Sequence, residues 1–181
     1  MALLCHIERS AAALYNTVIQ TNYGPVQGVK AFNSTPNGNL SNWEDITVWK
    51  GIPYGADTSG ANRWRPPQPA IPWNTTFQAS SYGDTCPPTT GDMGSSVVAS
   101  EDCLNLNIWS AASNASEKRP VIFWSCPAGG SAAQALFDGA GMADQGIVFV
   151  NYKYVLNIAI PQFSTAKLYS SAPQSKISYK T

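Results

Sequence analysis

Two stretches of this sequence carry residue types that could do chemistry. Glu101 and Asp102 are adjacent carboxylates, the raw material of general acid–base catalysis. They stand at the start of a strand pattern beside Cys103, where such a pair reads as surface or ion-pair duty, with Arg63 or Arg65 as the partner. Cys126 opens the turn Cys126-Pro127-Ala128-Gly129-Gly130, and a thiol beside glycines becomes a nucleophile when an imidazole activates it. The one imidazole of the chain is His6, far from that turn in sequence, so the thiol reads as incidental, as does Cys5. Four cysteines with a single histidine and no C-x-x-C do not compose a zinc site. The glycines at 24, 28, 51 and 55 lack a phosphate-cradling spacing. No cofactor and no metal are expected.

The elements that must position these residues follow from hydrophobic periodicity. Leu104, Leu106 and Ile108 alternate with Asn105, Asn107 and Trp109, which predicts a strand with one face inward. Val121-Ile122-Phe123-Trp124 is a continuous apolar run, the pattern of a strand covered on both faces, and it stops at the turn containing Cys126. Ile147 to Tyr152 is a second such strand. Between them, residues 132–144 have a helical periodicity broken by Gly139 and Gly141, which predicts a loop with one short helix. A buried strand opening into a glycine-containing loop is where an α/β enzyme commonly places its substrate.

Upstream, Val18 to Thr21 and Val26 to Phe32 flank Asn22-Tyr23-Gly24-Pro25 and predict a small antiparallel hairpin. Pro36 to Ser41 reads as a loop, and Ile46 to Gly55 as a third strand ending in turn chemistry. Asp57 to Trp73 has too many prolines for a helix or a central strand. Trp64 and Trp73 are expected to pin that segment to the body; with Trp43 they could instead line a ligand groove. Residues 1–15 suit a short helical turn, 91–100 a flexible loop by composition, and 155–181 a Ser/Lys/Tyr/Gln tail without a period, expected to be poorly ordered.

Composition bounds the class. A chain of 181 residues with 44% hydrophobic content can bury a real core. Eleven basic and eleven acidic residues cancel, and no basic cluster exceeds Lys118-Arg119, which argues against a nucleic-acid partner. No apolar run is long enough to cross a bilayer. Zero net charge and six tryptophans favour self-association through exposed sheet surface. Asn33, Asn74 and Asn114 each open an N-x-S/T sequon, which points to secretion. The N-terminus does not support that address, since His6, Glu8 and Arg9 interrupt MALLC at once and no signal-peptide pattern forms.

Several segments together resemble the type-B carboxylesterase and cholinesterase family of the α/β-hydrolase fold: Tyr23-Gly24-Pro25-Val26-Gln27-Gly28, Trp49-Lys50-Gly51-Ile52-Pro53-Tyr54, Arg65-Pro66-Pro67 with Trp73, and above all Glu101-Asp102-Cys103-Leu104-Asn105-Leu106-Asn107. The resemblance implies an α/β fold, the N-terminal portion of an α/β-hydrolase: a small antiparallel hairpin region followed by the first strands of a mixed central sheet, incomplete in helices. It spans residues 18–154, with 1–17 and 155–181 flanking it. It implies a disulfide between Cys86 and Cys103, and makes Ala128 and Gly129 the remnant of the family's oxyanion loop.

Family members are esterases acting through serine, an acidic residue and histidine; some relatives have lost catalysis and serve in adhesion. In α/β-hydrolases the serine occupies a G-x-S-x-G elbow. No G-x-S-x-G occurs in these residues, and the family's histidine comes from far C-terminal sequence, so His6 does not inherit its role. The expectation is therefore a member of the family by descent, truncated before its nucleophile and inactive alone, with ester substrates reserved for a full-length relative. The alternatives are a non-catalytic binding or adhesion protein, or a truncated reading frame without independent function.

Overall fold

The computed structural model describes residues 13–87, 98–125 and 131–154. Two sheets form. The small one pairs β1 (Val18–Gln20) antiparallel with β2 (Pro25–Gln27), and β2 runs parallel to β5 (Phe77–Gln78). The turn between β1 and β2 is closed by Thr21, whose Oγ1 accepts from the N–H groups of Tyr23 and Gly24 and donates to the Gly24 carbonyl. Gly24 is required here: its φ is +150°, and a Cβ would stand 2.3 Å from the Trp73 carbonyl oxygen and 2.4 Å from the indole. Trp73 pins the proline-rich segment at this point, donating from its backbone to Tyr23 O at 2.7 Å and from Nε1 to Pro25 O at 2.9 Å. Gly24→Ala is expected to cost about 2 kcal/mol by overpacking this contact, read as a lower urea midpoint. An unchanged midpoint would show that the indole is free to move aside.

The large sheet has the order β3 (Val29–Lys30), β4 (Thr47–Pro53), β6 (Asn105–Ser110), β8 (Val148–Tyr152), β7 (Val121–Ser125). Its first four strands are mutually antiparallel, and β7 joins β8 in parallel. One face carries Ile46, Val48, Trp109 and Phe149 against Ala140 and Ala143 of α1 (Ala140–Asp144), a helix whose small side chains allow close approach. The other face packs Trp49, Ile52 and Ile108 against Leu14 and Val26 beneath the small sheet. No helix among the described residues is long and apolar enough to cross a membrane.

Four expectations change. The run from Val26 to Phe32 is not one strand: it breaks at Gly28, and β2 and β3 belong to different sheets, because the chain must step from one layer to the other. On β6 the face carrying Asn105, Asn107 and Trp109 is the more deeply buried one, while Leu106 and Ile108 are half-buried. Strand β7 is not covered on both faces. It stands at the sheet edge with Val121 61% and Phe123 63% exposed, since the helices that would cover such a strand are not among the described residues. Trp64 does not pin its segment: it is half exposed, on a backbone with φ +67°. The hairpin, the strand in β4, the proline-rich loop and the short helix stand as predicted. The 1–12 part of the N-terminal turn, the stretch 91–97 and the tail from 155 lie outside the described residues.

Candidate functional site

The carboxyl ends of the parallel pair β7 and β8 lie side by side, with Ser125 opposite Tyr152, and this end of a parallel sheet is where α/β proteins place ligands. Residues 126–130 follow β7; they lie outside the described residues, and with them Cys126 and the positions Ala128 and Gly129 that the family resemblance makes an oxyanion-loop remnant. What is described is the floor beneath the point where the description resumes at Ser131.

That floor is a pair of buried amides. Asn107 on β6 and Asn151 on β8 face each other in the strand register, both with no exposed surface. Asn107 Nδ2 donates to Asn151 Oδ1 at 2.8 Å and to Ala132 O at 3.4 Å. Asn151 Nδ2 donates to Ala132 O at 3.2 Å and to Phe137 O at 2.9 Å. Asn107 Oδ1 accepts the Gly51 N–H at 2.9 Å. Every polar atom of both side chains is thereby used, and a fully satisfied buried network fixes one geometry. It grips Ala132, near the start of the described stretch 131–154. Ser131, also without exposed surface, shares a 2.7 Å hydrogen bond with Thr85.

Gly51 reaches Asn107 because β4 is irregular there. The register shifts between Trp49 and Ile52, which turns the Gly51 N–H out of the ladder. With φ +69°, and with Ser81 O 2.7 Å from where a Cβ would lie, the position accepts only glycine. The bulge in Trp49-Lys50-Gly51-Ile52 and the second asparagine of Leu104-Asn105-Leu106-Asn107 are two halves of one device.

Around this floor several polar groups are tied to backbone. Lys153 is buried and its Nζ donates to the carbonyls of Gly83 and Asp84. Asn105 Nδ2 donates to Asp84 O and Cys103 O, while its Oδ1 has no partner among the described residues. Tyr54 donates to Lys153 O, and burial pushes its phenol well above the ordinary tyrosine range. Burial, with the charge of Asp138, pushes Tyr82 up to about 12.

Cys86 and Cys103 are joined in a disulfide with Cα atoms 5.1 Å apart, both buried beside the floor. Glu101 is spent on Arg63, not Arg65, through Nε and Nη2 bonds of 2.8 and 2.5 Å. Burial raises the Asp102 carboxyl above its usual range, helped by the charges of Asp57 and Asp84. No imidazole stands near it among the described residues. Asn33, Asn74 and Asn114 are all exposed. Sequence reasoning missed the inward role of Asn107 and missed Asn151 altogether. The available signal was the asparagine at position 151 interrupting an otherwise apolar strand.

The arrangement resolves into a relationship. The model of the Carboxylesterase family matches residues 15–159. The para-nitrobenzyl esterase of Bacillus subtilis is 32% identical over 146 residues, which is 75% of this chain and 27% of that enzyme. The inactive carboxylesterase-like protein VdtD of Byssochlamys spectabilis is 35% identical over 156 residues, 77% of this chain and 26% of its own length. Among solved structures, carboxylesterase EST55 of Geobacillus stearothermophilus superimposes with a TM-score of 0.60 at 34% identity, over 78% of this chain and 27% of that one. The chain thus spans about a quarter of the length of the curated relatives it matches. By sequence and by fold, the chain belongs to the carboxylesterase family.

Proposed function

We propose that these 181 residues carry the scaffold of a carboxylic-ester hydrolase site without the groups that cleave the ester. The sheet and the clamp on Ala132 support this reading, since they flank Cys126-Pro127-Ala128-Gly129-Gly130, the segment in which the family resemblance makes Ala128 and Gly129 the oxyanion-loop remnant. Backbone N–H donors at Ala128 and Gly129 could serve an oxyanion, but an oxyanion forms only after a nucleophile attacks. The observation that carries this reading is the inventory of groups. These residues hold no G-x-S-x-G, and the single imidazole, His6, precedes the family-matching region. Ester substrates belong, on this reading, to a carboxylesterase chain that includes the serine, acid and histidine.

The purified chain is expected to hydrolyse a short-chain nitrophenyl ester no faster than the same chain with residues 126–130 scrambled. Turnover above that control, abolished by a serine-directed inhibitor, would overturn the proposal. A second reading, a non-catalytic binding role, is favoured by the 35% identity to a relative named as inactive. A saturable protein or small-molecule partner of the cooperatively folded chain would select it.

We also propose that the chain enters the secretory pathway. Three exposed sequons and a buried disulfide support this, since such bonds persist in oxidising compartments. Expression through a eukaryotic secretory route is expected to give a product whose mass falls on N-glycosidase treatment, and falls less for Asn114→Gln. A mass unchanged by the glycosidase would contradict it.

A further inference from the structure

The sequence holds one Asn-Gly pair, Asn37-Gly38, and one Asp-Gly pair, Asp138-Gly139. In both, a backbone N–H whose own residue has no Cβ follows a short side-chain carbonyl, the arrangement from which a five-membered imide closes. Their surroundings differ. Asn37 and Gly38 are exposed in the loop between β3 and β4, and nothing lies within 4 Å of where a Cβ on Gly38 would stand. Among the described residues, neither the Asn37 side chain nor the Gly38 N–H has a hydrogen-bond partner. Asp138, by contrast, accepts the Ala140 N–H through Oδ1 at 2.8 Å, and Gly139 is buried with the Phe149 ring 2.3 Å from its Cβ position.

The loop is held at both ends and free between them. Ala31 donates to Ile46 O at 2.9 Å, and Phe32 and Leu40 pack on the core of the large sheet. The Asn42 N–H donates to Asp144 Oδ1 at 2.6 Å, and Asn42 Nδ2 to Asp144 O at 3.1 Å. Rotation about the bonds of Asn37 therefore breaks no hydrogen bond among the described residues.

We propose that Asn37 is a site of self-modification, at which the folded chain converts from a neutral to an anionic form through an imide. The Gly38 nitrogen attacks Asn37 Cγ. A new N–Cγ bond forms and the Cγ–Nδ2 bond breaks. The Gly38 amide proton, relayed by solvent, ends on Nδ2, which leaves as ammonia. Water then opens the ring. Addition at Cγ breaks the new bond and leaves aspartate at position 37. Addition at the main-chain carbonyl breaks the original peptide bond and leaves isoaspartate, its backbone routed through Cβ. No electrons are exchanged, and water is the co-reactant. Either product adds one negative charge to a sequence whose eleven basic and eleven acidic residues cancel. Every other asparagine of the chain is followed by a residue with a side chain, which hinders the attacking nitrogen. Asn107 and Asn151 are in addition buried, with their amides bonded in the clamp.

The test is prolonged incubation of the full 181-residue chain in mildly alkaline buffer, followed by anion-exchange chromatography and peptide mass mapping. The expected result is an acidic form that grows with time, with NH2 exchanged for OH in the peptide that contains Asn37 and in no other. That form is expected to carry the same charge shift as Asn37→Asp and to be lost in Asn37→Gln. It is also expected to form in the folded chain as fast as in the guanidinium-unfolded chain. A folded parent that keeps its charge would overturn the proposal, whatever the unfolded chain does. So would an acidic form that maps to another asparagine, or one that persists undiminished in Asn37→Gln.

Discussion

Asn107→Ala is expected to lower the stability of the fold by about 3–5 kcal/mol, the largest effect of any single substitution considered, because it orphans several buried groups at once. The Gly51 N–H loses its acceptor, Asn151 Oδ1 loses its donor, and Ala132 O keeps one bond of two. None of these groups can turn to water, since Asn107 and Asn151 have no exposed surface. Against a total stability of about 5–15 kcal/mol for a domain, a loss of this size takes much of the margin. Asn107→Asp separates the role of the acceptor from that of the donor. Its carboxylate still accepts from Gly51 but faces two oxygens, Asn151 Oδ1 and Ala132 O. Burial and those oxygens raise the folded-state pKa of the new carboxyl above its unfolded value near about 4. A raised carboxyl pKa means that stability is kept below the unfolded pKa and falls as pH climbs through the window up to the folded pKa. The variant is therefore expected to be more stable at pH 4 than at pH 7 relative to the parent, measured as urea midpoints at the two pH values. Alanine and aspartate variants that match the parent at both would show that the amide pair is ornamental.

Removing the disulfide comes next. Cys86→Ser with Cys103→Ser opens a loop of 17-residue separation, and the chain-entropy estimate for such a loop is about 3 kcal/mol. The consequence is also local. Cys103 precedes β6 and its carbonyl accepts from Asn105, while Cys86 follows Thr85, the partner of Ser131. The bond therefore fastens the start of the strand that carries Asn107 to the neighbour of Thr85, which braces Ser131. A drop of about 1 M in the guanidinium midpoint is expected, from the usual dependence of stability on that denaturant. An equal midpoint for the serine variant and the parent would mean that the surrounding contacts hold the loop unaided. The Arg63–Glu101 pair and the bridge between Thr85 and Ala99 are the contacts that would have to do so.

The strands were legible because their signals are local. Alternation in residues 104–109, an apolar run in 147–152 and a Gly-Pro turn after Val18 are each readable within a few positions. The orientation of β6 was not, because alternation defines two faces without saying which one lies inward. Polarity argues that asparagines face out, and here that argument fails. Asn107 finds its partners at Gly51, Ala132 and Asn151, up to 56 positions away, and no local pattern announces them. The same limit explains β7: an apolar run states what the strand tolerates on its faces, not what stands beside it. Trp64 and Trp73 look equivalent in a proline-rich stretch, yet only Trp73 finds a carbonyl for its indole N–H, at Pro25. The disulfide came from the family resemblance, since four cysteines alone allow three pairings. The candidate site was legible in outline, as the end of a buried strand, but the clamp that shapes it was not.

Whether any hydroxyl in this chain is a nucleophile decides between a bare scaffold and an enzyme. Treating the folded chain with a fluorophosphonate and weighing the intact protein answers that directly. The expected result is an unmodified mass after prolonged exposure. A stoichiometric adduct on one serine, formed at a rate that collapses in His6→Ala, would contradict it.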